Sequence, residues 1–140
     1  MTGSARNLKH TLDEMQSAWN LAAKVWNPKA LANLYADNAL FYGGRSGHSV
    51  GVAAIEAYFA SYEGIIQSAV LDLLEQELVQ ISPESFVAQG LGAFSFVLAG
   101  GRQTQSVLRT TLVLSKLNGQ WKIQVHHFSV TPAVPPLGDA

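Results

Sequence analysis

Two adjacent histidines close an alternating, proline-stopped segment, GQWKIQVHHFSVTP at residues 119–132. Imidazole is the side chain whose ordinary pKa lets it give or take a proton near neutral pH. Neighbouring residues on a strand point to opposite faces, so His126 and His127 cannot line one site together. Counting by twos puts His127 with Trp121, Ile123, Val125 and Ser129, and His126 with Lys122, Gln124 and Phe128. If the face bearing Trp121 lines an interior hollow, His127 points into it and His126 lies outside. His127 would then act as a general base or as a hydrogen-bond partner to a ligand. Two alternatives stay open: a buried histidine satisfied by structure alone, and a β-bulge, common in bent sheets, that exchanges the two faces.

Arg109 is the second candidate. It stands mid-strand between apolar neighbours, where a guanidinium is rarely buried without a partner. It would grip a carboxylate or similar anion through a two-pronged contact. It would equally pair with Asp72, Glu75 or Glu77 on a neighbouring strand. Tyr42, Tyr58 and Tyr62 offer hydroxyls and Trp19 and Trp26 flat walls, although aromatics at helical spacing also serve as plain core. His48 lies in a glycine-rich loop, GGRSGHSVG, as a lid residue or a solvated one. That loop lacks the spacing of a phosphate-binding motif, and no dinucleotide fingerprint occurs, so no cofactor is expected. Zinc needs three or four ligands from one side, and diverging histidines with no cysteine in the chain argue against a metal. Ser129 and His127, two residues apart on a strand, stand roughly 7 Å apart, too far for a nucleophile and its base.

The elements that must hold these residues can be read from periodicity. Leu8, Leu12, Met15, Trp19, Ala22, Ala23 and Trp26 recur at three- and four-residue steps and predict an amphipathic helix over 8–26. Pro28 ends it and starts a second, short helix with Leu31, Leu34 and Tyr35 on one side. A short strand follows at Ala39–Tyr42, then the glycine-rich loop, then a third helix from Val52 to Tyr62. From Ala69 the period changes to two, with segments at 69–81, 85–98, 103–117 and 120–131 separated by the turn signals SPES, AGGR and LNGQ. Short connections imply antiparallel pairing. Helices first and strands afterwards give an α+β fold: a cone-shaped, curved, mostly antiparallel sheet with three N-terminal helices packed in its concave face. Within 107–115 one face carries Val107, Arg109, Thr111, Val113 and Ser115, and the other Leu108, Thr110, Leu112 and Leu114. The helices cover one face. A second copy of the chain is the simplest cover for the other.

Composition agrees. Of the 140 residues only 14% are charged while 48% are apolar, against about 25% charged in an ordinary soluble domain. A chain so poor in charge points to a buried subunit interface. Net charge is −1 with scattered basic residues, so neither nucleic acid nor a membrane surface is an expected partner. No apolar run reaches the roughly 20 residues that span a bilayer, and the N-terminus lacks the apolar core of a signal peptide. A cytoplasmic location is expected.

Three stretches, LANLYADNALFYGG, VGVAAIEAYFASY and LRTTLVLSKLNGQWKIQVHHFS, carry a resemblance that extends over about 19–132. The chain resembles the nuclear transport factor 2-like (SnoaL-like) superfamily, and within it bacterial proteins similar to the association (hub) domain of calcium/calmodulin-dependent kinase II. The resemblance implies a cone closed by three helices, a deep pocket, His127 at the family's terminal histidine, and dimers formed through the outer sheet face. It also implies a departure: the hub's basic pocket residues align with Leu112 and Phe128, which are apolar here. The leading expectation is a small homodimeric pocket protein, with domain 1–132 and a proline-rich tail at 133–140. It would bind a small, partly apolar, anionic or carbonyl-bearing molecule through Arg109, His127, Tyr42, Trp19, Trp26, Tyr58 and Tyr62. The alternatives are a cofactor-free isomerase, dehydratase or cyclase with His127 as general base, and a dimerisation module with a vestigial pocket. The tail, TPAVPPLGDA, would lie on the partner subunit or fray.

Overall fold

The computed structural model describes residues 4–139, with side chains from residue 7. Helix α1 spans Ser4–Ala23, and the predicted stripe of Leu8, Leu12, Met15, Trp19, Ala22, Ala23 and Trp26 is buried throughout. Its exit is sharp. Trp26 adopts φ +44°, and the amides of Trp26 and Asn27 return to the carbonyls of Ala23 and Ala22 at 3.0 Å each. This paired closure normally carries glycine at the left-handed position. Asn27 then caps α2, Pro28–Ala32, accepting from the Ala30 amide.

The chain goes extended earlier than the sequence pattern implies. Strand β1 covers Tyr35–Tyr42, so Tyr35 belongs to the sheet and not to the second helix. The backbone N–H of Asn33 still caps α2 by donating to the Lys29 carbonyl, while the Leu34 carbonyl already accepts from the Ile123 amide. A two-residue strand β2, Ser49–Val50, doubles back on β1. Helix α3 runs from Val52 to Ala60. Strands β3 (Ile66–Ser82), β4 (Ser85–Leu98), β5 (Gln103–Leu117) and β6 (Gln120–Ser129) follow, close to the four predicted segments. A 3-10 turn at Ala99–Gly101 joins β4 to β5. The sheet order is β2-β1-β6-β5-β4-β3, antiparallel except for the β1–β6 pair.

The faces are set by burial. Phe86, Ala88, Phe94, Thr110, Leu112, Leu114, Ile123 and His126 are buried on the concave side against the helices. The face carrying Leu108, Thr110, Leu112 and Leu114 is therefore the inner one, and the face of Arg109 is outside. The physical reason is that the more apolar of the two parities takes the cover the helices supply. Bulges bend the sheet: β3 shifts register between Leu74 and Glu77, with Glu75 at φ +51°. Opposite this bulge sits Gly90, where a Cβ would meet the Glu75 carbonyl oxygen at 2.5 Å.

Helix α1 is held to the edge strand by side-chain amides that imitate a neighbouring strand. Asn20 accepts from the Leu71 amide at 2.7 Å and donates to the Leu71 carbonyl at 2.9 Å, and Gln16 accepts from the Leu73 amide at 2.8 Å. These bonds satisfy backbone groups that an edge strand otherwise leaves open. Beyond Ser129 the tail has no regular structure, and residues 130–139 are exposed. No described helix is long and apolar enough to cross a membrane.

Candidate functional site

A half-open cavity of about 280 Å³ lies between the inner sheet face and the helices. Trp19, Trp26, Phe59, Phe94, Phe96, Leu108 and Phe128 form its walls, and among the described residues Tyr58, Tyr62, Thr104 and Ser106 supply the hydroxyl groups. Among the described residues no charged side chain lines it. The walls are locked by their own contacts. Trp26 donates its indole N–H to the Phe59 carbonyl at 3.0 Å and meets Phe59 and Tyr62 edge-on. Holding a bulky residue at positive φ costs on the order of 1–2 kcal/mol, so these contacts must offset strain at a residue that forms a wall of the cavity.

The glycine-rich loop shapes the mouth. Gly43 lies so close to Tyr58 that a Cβ would collide with the phenol oxygen, and the Gly44 amide donates to that oxygen at 2.7 Å. Burial pushes the Tyr58 hydroxyl well above its usual range and Tyr62 adds to this, while the Gly44 amide and Arg45 pull the other way. Tyr58 is thus a neutral donor at the lip.

Behind Trp19 a second, closed arrangement fills the depth of the cone. The Trp19 indole N–H donates to the Tyr35 hydroxyl at 3.3 Å, and that hydroxyl stands 2.8 Å from Nδ1 of His126. With the indole as donor, the phenol proton goes to Nδ1 and leaves the imidazole N–H at Nε2. That Nε2 is buried without a partner. It faces a void of about 10 Å³ walled by Leu12, Met15, Gln16 and Leu112, among others. Burial, and secondarily His127, push the His126 pKa down to about 3. Burial likewise drives the Tyr35 hydroxyl far up, against the Trp19 hydrogen bond and with a small addition from Tyr58. Both groups are neutral at physiological pH.

The expected positions of the two histidines are exchanged. His126 is inside, fully buried, and His127 is outside and exposed. Trp121 does lie on the inner side, edge-on to Phe86. The exchange arises because Val113 pairs with Val125 but Leu114 pairs with Ile123, leaving Gln124 as one extra residue. One inserted residue flips every later side chain. Gln124 ties this bulge to β1 by donating to Asn38 at 2.7 Å.

The candidate residues therefore divide. Trp19, Trp26, Tyr58 and Tyr62 line the cone cavity. Arg109 and His127 do share a face, but it is the outer one, where they line a furrow of about 630 Å³ with Glu75, Glu77, Gln89 and Ser129. Tyr42 joins that side: its ring tilts against His127 at 5.3 Å and stacks on His48 at 4.3 Å. Among the described residues Arg109 makes no salt bridge, with Asp72, Glu75, Glu77 or any other acid. No described group of three His, Asp or Glu side chains is arranged to hold a metal. Sequence reasoning missed Phe94, Phe96, Thr104, Ser106 and Leu108 as wall residues, and reached Phe128 only through the resemblance, as the position of a basic pocket residue in the hub domain. The signal was present, since Thr104, Ser106 and Leu108 continue the parity of Leu112 and Leu114 along β5.

Three helices against the concave face of a six-stranded, mostly antiparallel sheet define an α+β cone fold with an apolar hollow. The sequence matches the SnoaL-like domain over residues 12–133, and the chain belongs to that family. Solved structures agree on the fold. A Xanthomonas campestris protein named for the calcium/calmodulin-dependent protein kinase II association domain is 24% identical, with TM-score 0.79, covering 93% of this chain and 89% of its own. A nuclear transport factor 2-like superfamily protein of Salmonella enterica gives TM-score 0.77 at 19% identity, covering 96% and 99%. A Novosphingobium aromaticivorans protein named for scytalone dehydratase gives 0.76 at 14%, covering 100% and 99%. No functionally curated protein matches the sequence.

Proposed function

We propose that the protein binds one small, largely apolar molecule in the cone cavity, with a carbonyl or hydroxyl oxygen directed at the hydroxyls of Tyr58, Thr104 and Ser106. The observation that carries this reading is the cavity itself: about 280 Å³, walled by aromatic and aliphatic side chains, with a few hydroxyls as its only polar groups. Ligand sites are commonly apolar hollows with a small number of oriented polar groups. Neighbours named for dehydratases raise the alternative of a cofactor-free isomerase, dehydratase or cyclase. That reading needs a base at the ligand, and the cavity walls offer neither a carboxylate nor His127. Binding is the better supported of the two.

Equilibrium dialysis with 2-naphthamide, a neutral, flat, carbonyl-bearing probe, tests the reading. One molecule should bind per chain, and Ser106→Trp, which fills the cavity, should abolish binding while circular dichroism stays unchanged. No binding by the unaltered protein, or undiminished binding by the filled variant, refutes it.

The homodimer belongs to the same proposal. Leu74, Val70, Val79, Ile81 and Val107 are 37–61% exposed on β3 and β5. The furrow beside them carries both signs of charge, Arg109 with Glu75 and Glu77. A face with both signs is complementary to itself under two-fold symmetry. Sedimentation velocity should give a dimer that Val79→Asp dissociates. A single-chain species across the concentration range would remove this part.

A further inference from the structure

Among the described residues no charged side chain lines the cone cavity, yet one exposed guanidinium stacks on a residue of its wall. Arg45 belongs to the glycine-rich loop whose Gly44 borders the cavity. Its guanidinium carbon lies 4.3 Å above the ring of Tyr62, a wall residue. Two hydrogen bonds fix its plane: Nε donates to the Ser61 hydroxyl at 2.8 Å, and Nη2 donates to the Ser61 carbonyl at 3.1 Å. Ser61 is held in turn, donating to the Tyr58 carbonyl at 2.6 Å. Among the described residues no carboxylate lies within salt-bridge distance of Arg45. Glu63, two residues beyond Ser61, is exposed and unpaired with it.

A cation that is stacked, held by two bonds and uncompensated is pre-organised for an anion, because little side-chain freedom is lost on binding. The alternative is that Arg45 only fastens the loop to the C-terminal end of α3, where a cation is favourable. That role uses Nε and Nη2 and leaves Nη1 with no hydrogen-bond partner among the described residues. We infer that Arg45 is a specificity-determining residue of the cavity, selecting apolar or aromatic molecules that carry a carboxylate at the end left at the mouth. The inference rests on the cone cavity being the binding site. It moves the anion-binding part expected of Arg109 to a residue that sequence reasoning passed over.

Matched probes separate the two ideas. 2-Naphthoate and 2-naphthamide have the same shape and differ in charge. In equilibrium dialysis at low salt the protein should prefer the carboxylate by about five- to tenfold, the range of a charge-assisted, partly exposed contact. The preference should shrink as salt is added. Arg45→Met should bring the two probes to equal affinity with the amide unchanged, and Arg45→Lys should retain part of the preference. If both probes bind equally and Arg45→Met changes neither, the inference fails while the cavity reading stands. If Arg45→Met weakens both probes alike, Arg45 is a structural fastener and the inference also fails. If neither probe binds the unaltered protein, both ideas fall together.

Discussion

On its concave side the sheet presents Phe86, Phe94, Leu112, Leu114 and His126 to the helices, all buried; on its convex side it presents Val79, Leu74, Val107 and Arg109, all exposed. The same strands supply both sets at alternate positions. The difference lies in how polar groups are treated. Inside, the ionisable groups are Tyr35 and His126, bonded to each other and held neutral by burial. Outside, Arg109, Glu75, Glu77 and His127 stand in one furrow without a salt bridge among them. The inner side therefore offers shape and apolar surface, and the outer side offers charge. On the proposed binding reading, a charged ligand would keep its charge at the lip of the cone.

The sharpest way to break this comparison is to remove matter from each face. Phe59 is fully buried and touches Trp19, Trp26, Tyr35, Phe41 and Tyr58. Phe59→Ala should cost about 3–5 kcal/mol, the usual range for a large aromatic in a core. Val107→Ala on the outer face should cost no more than about 0.5 kcal/mol in the monomer. Urea unfolding measures both, and similar losses would mean that the outer face is as tightly packed as the inner.

Acid offers a second contrast. The folded pKa of His126, about 3, lies below its ordinary value of 6.5, so below pH 6.5 the unfolded chain takes up a proton that the folded chain refuses. Stability from this group is fully present well above pH 6.5 and is lost as pH falls through 6.5 toward 3. At about 1.4 kcal/mol per unit, close to 2 kcal/mol should disappear between pH 7.5 and 5. His126→Gln should remove that part of the slope, whereas His127→Gln, on the exposed side, should leave it. A slope that survives in His126→Gln contradicts the closed, neutral setting of this imidazole.

These residues also show what the sequence could and could not convey. The helical stripe from Leu8 to Trp26 and the four long strands were legible because each rests on many positions agreeing on one period. The family was legible from three stretches spread along the chain. The histidine assignment failed on one residue: nothing in WKIQVHH marks Gln124 as a bulge, since the register is set by pairing with β5 and β1, which are distant in sequence. Tyr35 was misplaced because Pro28 announces a helix start while no comparable signal announces its end. The face of Arg109 was readable in principle. The Leu108–Leu114 parity is the more apolar and claims the helices, which leaves Arg109 on the outer face.

The α1–β3 junction tests how far the inner side depends on its edge. Asn20 serves both the amide and the carbonyl of Leu71, and Asn20→Ala leaves two backbone groups to find water at a half-buried position. The expected cost is about 1–2 kcal/mol. Hydrogen exchange at Leu71 should speed by at least the factor that this loss implies, while exchange at Leu112, in the middle of the sheet, should follow only the global change. Equal acceleration at both amides would show that the helix edge opens only with the whole fold.

The smallest effect on the single chain is expected at Arg109. An exposed guanidinium without an ion pair contributes little, so Arg109→Met should alter monomer stability by less than about 0.5 kcal/mol. Its consequence should appear in association. If Arg109 meets Glu75 or Glu77 of a second copy, removing it leaves those carboxylates facing an apolar, desolvated neighbour, and sedimentation should show a weaker dimer. Charge reversal gives the sign. Arg109→Glu should dissociate the dimer further than Arg109→Met, because it places three acids in each furrow, and added salt should partly restore association by screening that repulsion. If the Met and Glu variants associate as tightly as the unaltered chain, the furrow's charges play no part in self-association, and its mixed composition reflects nothing more than a solvated outer face.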